Sequence, residues 1–367
     1  MSTLKVNTIG NKGSAVDFPN KLKVRGNAVE QGYTASGTEP SSPSEGDFWW
    51  DSTNEALYQY INSEFKTVSL KTYVWYGDRW LYAGGANSSF TQRNVIEYGS
   101  IASSGNGTDF GDLTATRAYL DAASDGTTVL FAGGYESAPV NTIESVASAT
   151  TGNASDFGDL TAARQTLAAV GGKFGIFSGG KTSNAGSSIV NTIDFVTIAT
   201  TGNASDFGDH TAAVGSGAGA TNNTRSLFNG QYDDSTVNTT EYITNATTGN
   251  ATDFGDLTVA RRANAAAADS TRAIFAGGFS YSNVMDYFTI ASTGNATDFG
   301  DLTVSSGGIS GTGNETKAVF MGGQVSGTDA PVNVIGIVTI QTTGNASDHG
   351  DLTEAKRYGS ASSGNAS

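Results

Sequence analysis

The sequence predicts an all-β fold built from six four-stranded units, and three observations carry that expectation. A block close to TTGNASDFGDLT recurs six times along the chain. An apolar run ending in glycine precedes each copy, and a segment that opens with asparagine and alternates polar with apolar residues lies between the two. Glycine is abundant, 48 of 367 residues, while proline is scarce at 5, which suits many short turns between strands better than helix or disorder.

The repeat sets the size of the unit. Its Gly-Asn pairs begin at Gly105, Gly152, Gly202, Gly249, Gly294 and Gly344, so successive copies stand 47, 50, 47, 45 and 50 residues apart. The glycine-ended runs are LYAGG at 81–85, LFAGG at 130–134, IFSGG at 176–180, LFNG at 227–230, IFAGG at 274–278 and VFMGG at 319–323. The leading asparagines are Asn94, Asn141, Asn191, Asn238, Asn283 and Asn333. Ile193, Phe195 and Ile198 against Thr192, Asp194 and Thr197 follow a strand period better than a helical one. Four such segments in 45 to 50 residues make one propeller blade. A blade cannot bury both faces alone, so neighbours must stack and the ring must close. The stretch after each DLT, such as AARQTLAAVGG from Ala162, is expected to form the innermost strand. The first unit lacks such a stretch ahead of it, and the tail EAKRYGSASSGNAS follows the last block. The expected fold is therefore a six-bladed β-propeller closed by the C-terminal strand.

The order of these signals resembles the kelch repeat of kelch and galactose-oxidase propellers, over residues 71–367. Phe157, Leu160 and Arg164 stand where that repeat carries Trp, an apolar residue and Arg. The basic slot reads Arg117, Arg164, Val214, Arg261, Ser306 and Lys356. The resemblance implies fold and not activity, because propellers host many unrelated functions.

Residues 1–70 share none of the repeat. The polar stretch TASGTEPSSPSEG at 34–46 reads as a linker, and GDFWWDSTNEALYQYINSEFKTV after it reads as a small β-hairpin module. This divides the chain into an attachment segment (1–33), linker and hairpin module (34–70), and propeller (71–367), with a small N-terminal β/irregular part. The GD-aromatic-W-D-T module resembles one found in phage tail-fibre and appendage proteins. The opening MSTLKVNTI resembles the start of fibre proteins from marine cyanobacterial phages. These resemblances imply a virion protein, on the tail or capsid surface, bound to other virion proteins through its N-terminal segment and displaying the propeller outward.

Composition removes several classes of chemistry. Without cysteine there are no disulfides, thiolate metal sites or cysteine nucleophiles. Two distant histidines, His210 and His349, do not make a histidine-rich metal centre, and both fall in slots otherwise apolar. A formal charge of −15 argues against binding nucleic acid or anionic lipid. No apolar run reaches the roughly 18 residues of a membrane span. The N-terminus lacks a signal-peptide layout, so synthesis in the host cytoplasm without export is expected. No cofactor and no enzymatic activity are expected.

Among candidate sites, the paired aspartates of DFGD, such as Asp156 and Asp159, read either as a calcium loop or as a structural turn. EF-hand loops need more alternating acidic positions, which favours the turn. The block also resembles the sialidase Asp box but lacks its closing Trp. The Asn-x-Ser/Thr matches at Asn153, Asn203, Asn250, Asn295 and Asn345 read as by-products of the repeat. Nearly all length variation lies between the Gly-Gly and the asparagine, in the loop joining the second and third strands. Alternating strand direction puts all six of those loops on one face, the usual construction of a binding surface. Phe90, Tyr135, Tyr232, Phe279 and Tyr281 offer flat faces to sugar rings there, with Arg93, Asp233, Asp234 and Asp329 as hydrogen-bonding partners. The competing reading is that these loops drift and bind nothing. A receptor-binding fibre protein recognising a host surface glycan or protein is the leading expectation. A tail-nozzle or capsid decoration protein contacting only virion components is the alternative. A glycan depolymerase comes third, since the regular aspartates single out no catalytic pair. No heptad coiled coil is present, and homo-oligomerisation is left open.

Overall fold

The computed structural model describes residues 23–24, 27–28, 33–36, 38–51, 56–61, 63–67, 77–184, 188–230 and 236–365. The chain divides into two compact units, Met1–Thr72 and Tyr73–Ser367. All regular structure among the described residues is β, without a helix.

In the first unit, Tyr33–Ser36, Phe48–Asp51, Ala56–Ile61 and Glu64–Thr67 form one four-stranded sheet in that order. The first pair is parallel and the others antiparallel. The segment expected to be a linker from residue 34 therefore begins inside a strand. Trp49 anchors this sheet. Its ring stacks on Tyr58 at 4.9 Å and meets the edge of Phe65 at 5.3 Å, and its indole N–H donates to the Ser36 carbonyl. Aromatic pairs of this kind add about 0.5–1.5 kcal/mol beyond the area they bury.

The second unit contains six antiparallel four-stranded sheets with one connectivity. The second sheet is representative: Asp121–Ser124, Thr128–Ala132, Thr142–Ala147 and Ser155–Asp159, each paired with the next. In the first sheet the chain's C-terminal strand Ser360–Gly364 pairs with Arg79–Ala83, Ser360 opposite Ala83 and Gly364 opposite Arg79. The leading strands of the sheets are then Ser360–Gly364, Asp121–Ser124, Ala168–Val170, Ala218–Thr221, Ala265–Ala268 and Ser310–Gly313. They consist almost wholly of Ala, Gly, Ser and Thr because each packs directly on the leading strands of two neighbouring sheets.

The second strands, such as Thr128–Ala132, carry continuous apolar runs because both of their faces are buried. Val129 and Phe131 pack with the first sheet's Leu81 and Ile96, while Leu130 and Ala132 pack with the third sheet's Phe177 and Val196. The same alternation produces six core clusters, each shared by two consecutive sheets, including one between the sixth and first sheets around Trp80, Tyr82, Val319 and Met321.

The DFGD segments are outer strands and not turns. In the second sheet Ile143 pairs with Gly158 and Glu144 with Asp156, so Phe157 is the extra residue of a bulge and turns into the core. A bulge adds twist and re-aims one side chain. At Gly158, φ is +152° and a Cβ would overlap the Gly202 carbonyl of the next copy, which is why glycine stands there. Across that close approach, Gly202 N–H donates to the Phe157 carbonyl at 2.9 Å and Asp159 N–H donates to Asn203 Oδ1 at 3.1 Å. The same clasp joins every consecutive pair, including the last block to the first, where Gly105 donates to His349 O and Asp351 donates to Asn106 Oδ1. The repeated Gly-Asn is thus the latch of one sheet onto the outer strand of its predecessor.

The basic slot is filled by buried ion pairs running from one sheet to the next: Arg117 to Glu144, Arg164 to Asp194 at 2.5 Å, Arg261 to Asp286, and Lys356 to Glu97. Every side chain in these pairs is at most 1 % exposed. Arg164 also donates to the carbonyls of Gly179 and Thr192 at 2.9 Å, and Thr161 donates to Asp194, so neither charge lacks partners. Where Val214 replaces the basic residue, His210 takes over the role. Its Nδ1 lies 2.6 Å from Glu241 and its Nε2 2.5 Å from Ser178 Oγ. His210 is therefore a side-chain partner of a buried acid, and not merely a substitution in a packing slot. Where Ser306 stands in the slot, the matching acidic position is Gly336, so both charges are missing together.

Candidate functional site

One cavity of about 350 Å³ is lined by all six sheets. Its wall begins at the turn that leads from each outer strand into the next leading strand, two residues past the basic slot. The turn residues are Tyr119, Thr166, Ser216, Ala263, Gly308 and Tyr358, and all six have φ between +49° and +64°. Each donates its N–H to the carbonyl of the preceding one: Thr166 to Tyr119, Ser216 to Thr166, Ala263 to Ser216, Gly308 to Ala263, Tyr358 to Gly308, and Tyr119 back to Tyr358, at 2.7–2.9 Å. The left-handed conformation is unfavourable for five of these residues and is held by this circle of bonds. The floor is a set of small residues, Ala122, Ala169, Gly219, Ala266, Gly311 and Ala361, beyond which a space of only about 60 Å³ continues.

The loops after the Gly-Gly runs join this wall through backbone bridges: Ala86 with Arg357, Tyr135 with Ala118, Lys181 with Gln165, Phe279 with Arg262, and Gln324 with Gly307. Variable loops and turn residues therefore belong to one surface.

The expected site residues distribute unevenly over it. Phe90, Phe279, Tyr281 and Asp329 come together. Phe90 lies 5.9 Å from Tyr119 and 6.2 Å from Tyr358, Phe279 lies 6.3 Å from Tyr358, and Tyr281 meets the edge of Phe279 at 4.9 Å. Tyr281 hydrogen-bonds Asp329, and Gln324 donates to both at 3.0 Å. Tyr135 stands apart from that group, its hydroxyl accepting from Asn184 at 3.1 Å. Arg93 forms a two-pronged pair with Glu354 at 2.6 and 2.7 Å. Tyr232, Asp233 and Asp234 lie outside the described residues.

The turn residues were not singled out from the sequence, although they supply the centre of the site. Tyr119 and Tyr358 have ring centroids 4.4 Å apart, and Arg357 caps both Phe90 and Tyr358 at 5.2 and 5.5 Å. The signal was available: the two positions after the basic slot read AY, QT, GS, RA, GG and RY at constant spacing from that slot. Burial pushes the Tyr358 hydroxyl up to about 12, with Arg357 opposing, and burial likewise raises Tyr119. Both are therefore neutral hydrogen-bonding phenols at physiological pH. Asp121, at the head of a leading strand where the other sheets carry Ala or Ser, is pushed up to about 7 by burial. The N–H groups of Ala122 and Ala169 and the Ser360 hydroxyl donate to it and limit that rise.

No protein-family model matches the sequence, and no curated protein matches it.

Proposed function

We propose that the chain is a non-enzymatic phage virion protein, a tail fibre or appendage. Its N-terminal segment anchors it to other virion proteins, and its second unit, a closed six-bladed propeller, is displayed for recognition of the host surface. The ring is supported by the C-terminal strand completing the first sheet, by clasps and turn bonds that return from the last copy to the first, and by a sixth core cluster between the last and first sheets. The recognition role is carried by one observation: six turns of the same backbone conformation surround one cavity, and their side chains range from none at Gly308 through Ala263, Ser216 and Thr166 to the rings of Tyr119 and Tyr358. Where only packing is at stake, this chain repeats its residues; around the cavity it varies them. The attachment role rests on the resemblance of the N-terminal segment to phage fibre proteins.

Adsorption competition tests the proposal. Purified full chain, incubated with host cells before the parent virus is added, is expected to block infection in a dose-dependent way. Blocking is expected to be lost in a Tyr281→Ala, Phe90→Ala double variant that still folds. A folded wild-type chain that neither binds nor blocks across infected hosts would exclude receptor binding and leave a part that contacts only other virion proteins.

A further inference from the structure

The cavity has two unlike halves. On one arc, Tyr119, Tyr358 and Phe279 present aromatic surface. The backbone of Gly307 and Gly308 makes room for it, since a Cβ at Gly307 would meet the Phe279 ring at 2.8 Å and one at Gly308 would meet the Tyr358 ring at 2.5 Å. On the other arc stand Gln165, Thr166, Ser216 and Asn264. Asn264 is only 4 % exposed, and its amide nitrogen donates to Asn229 Oδ1 at 2.8 Å. Among the described residues, nothing hydrogen-bonds its Oδ1, and nothing hydrogen-bonds the buried Oγ1 of Thr166. A buried polar atom without a partner costs about 1–3 kcal/mol, and the two residues that carry these atoms line the cavity.

We infer that this cavity takes the terminal sugar residue of a surface glycan, entering end-on. The inference deepens the receptor-binding proposal and rests on it. A pyranose has one face of C–H groups, which lies on aromatic rings, and a perimeter of hydroxyls that both donate and accept. The aromatic arc fits the first, and the polar arc of Gln165, Thr166, Ser216 and Asn264 fits the second. Size fixes the mode of entry. At about 350 Å³ the cavity is at the lower limit of small-molecule sites, about 300–1,000 Å³, and accommodates one ring with its substituents. The floor of Ala and Gly prevents a polymer from threading further, so an internal segment of a linear glycan does not fit and a chain end or branch tip does.

The test uses full chain and a panel of monosaccharides, namely glucose, galactose, mannose, N-acetylglucosamine and glucuronate, with binding read by saturation-transfer NMR and titration calorimetry. At least one is expected to bind with millimolar affinity. Thr166→Val is expected to weaken that binding about tenfold, the equivalent of 1.4 kcal/mol, without lowering the melting temperature, because it removes a hydroxyl that has no partner in the protein. Tyr358→Ala is expected to weaken it at least as much. Failure of a folded chain to bind any member, or affinity unchanged in both variants, overturns the inference. Host-cell binding by the same proteins separates it from the broader proposal. Variants that keep full cell binding while Phe90→Ala loses it leave receptor recognition standing and remove the cavity from it. Sugar binding that responds to both variants, in a chain that binds no host cell, supports the cavity and removes the receptor role.

Discussion

The third and sixth sheets solve the same structural problem in opposite ways. The third holds Asp194 on its own third strand and receives Arg164 from the preceding repeat, a pair sealed from water and joined by Thr161 and two carbonyls. At the corresponding places the sixth has Gly336 and Ser306, and needs neither charge. The fourth is intermediate, keeping the acid, Glu241, but drawing its partner from His210, four residues ahead of Val214. Across six copies, an acid never stands in this slot without an Arg, Lys or His beside it, and the copy that lost one partner lost both. Removing two charges from water is expensive, and their attraction offsets this only when both are present with full hydrogen bonding. The pair therefore behaves as a unit that is kept whole or discarded whole.

The largest expected effect comes from splitting the intact unit. Arg164→Met leaves Asp194 buried and alone, and should cost about 3–5 kcal/mol by the general experience with half-removed buried pairs. Adding Asp194→Ala should recover much of that loss, giving a large coupling energy in a double-mutant cycle read by denaturant unfolding. Additive single losses would mean that each side chain acts through packing alone.

The sixth sheet allows the converse. A Cβ at Gly336 meets nothing nearer than Ala346 Cβ at 3.5 Å, so the position admits the start of a side chain, and Gly336→Asp introduces a charge without its cation. It should destabilise by roughly 1–3 kcal/mol, less than the first case because this site has not closed around a pair. Ser306→Arg in the same chain should reverse most of the loss. If Gly336→Asp is neutral, the sixth sheet is wetter than the others and the rule of joint loss has another cause.

The repeat made most of this fold legible in advance. Apolar runs before the glycines became second strands, the leading asparagines opened or preceded third strands, and the tail after Lys356 became the leading strand of the first sheet. What stayed hidden depended on partners a repeat away. DFGD resembles a turn because Gly and Asp favour turns, yet it pairs with the third strand of its own sheet and is clasped on its far side by the Gly-Asn of the next copy, some 45 residues on. His210 resembles a packing substitution until Glu241 is seen beside it. The loops with variable length bridge to the turns around the cavity, and Phe90, Phe279, Tyr281 and Asp329 gather on that surface. Tyr119, Tyr358 and Arg357 escaped notice because they vary in identity at constant length, and only the circle of turn bonds brings them together. In the N-terminal module the pairing of Tyr33–Ser36 with Phe48–Asp51 is parallel and crosses a polar loop, which a hairpin pattern does not suggest.

The smallest expected effect is a difference in pH dependence between two versions of the pair. Burial pushes both Glu144 and Glu241 up, but the outcomes diverge. At Glu144 burial prevails over Arg117 and the carboxyl ends above its ordinary range, whereas hydrogen bonds from His210 and Thr211 outweigh burial at Glu241 and hold it below. The folded protein thus binds the Glu144 proton more readily than the unfolded chain does, and the Glu241 proton less readily. By linkage, the Glu241 contribution is complete above the unfolded value of about 4.5 and is lost as pH falls through the lower folded value. The Glu144 contribution has the opposite slope and grows as pH falls from the raised folded value toward 4.5. Melting temperatures of wild type, Glu144→Gln and Glu241→Gln between pH 7 and pH 3.5 should show this directly. The advantage of wild type over Glu241→Gln should shrink on acidification, while its standing relative to Glu144→Gln should improve. Parallel curves would mean that histidine and arginine hold their acids in the same state, and that the exchange of one for the other changes only the shape of the slot.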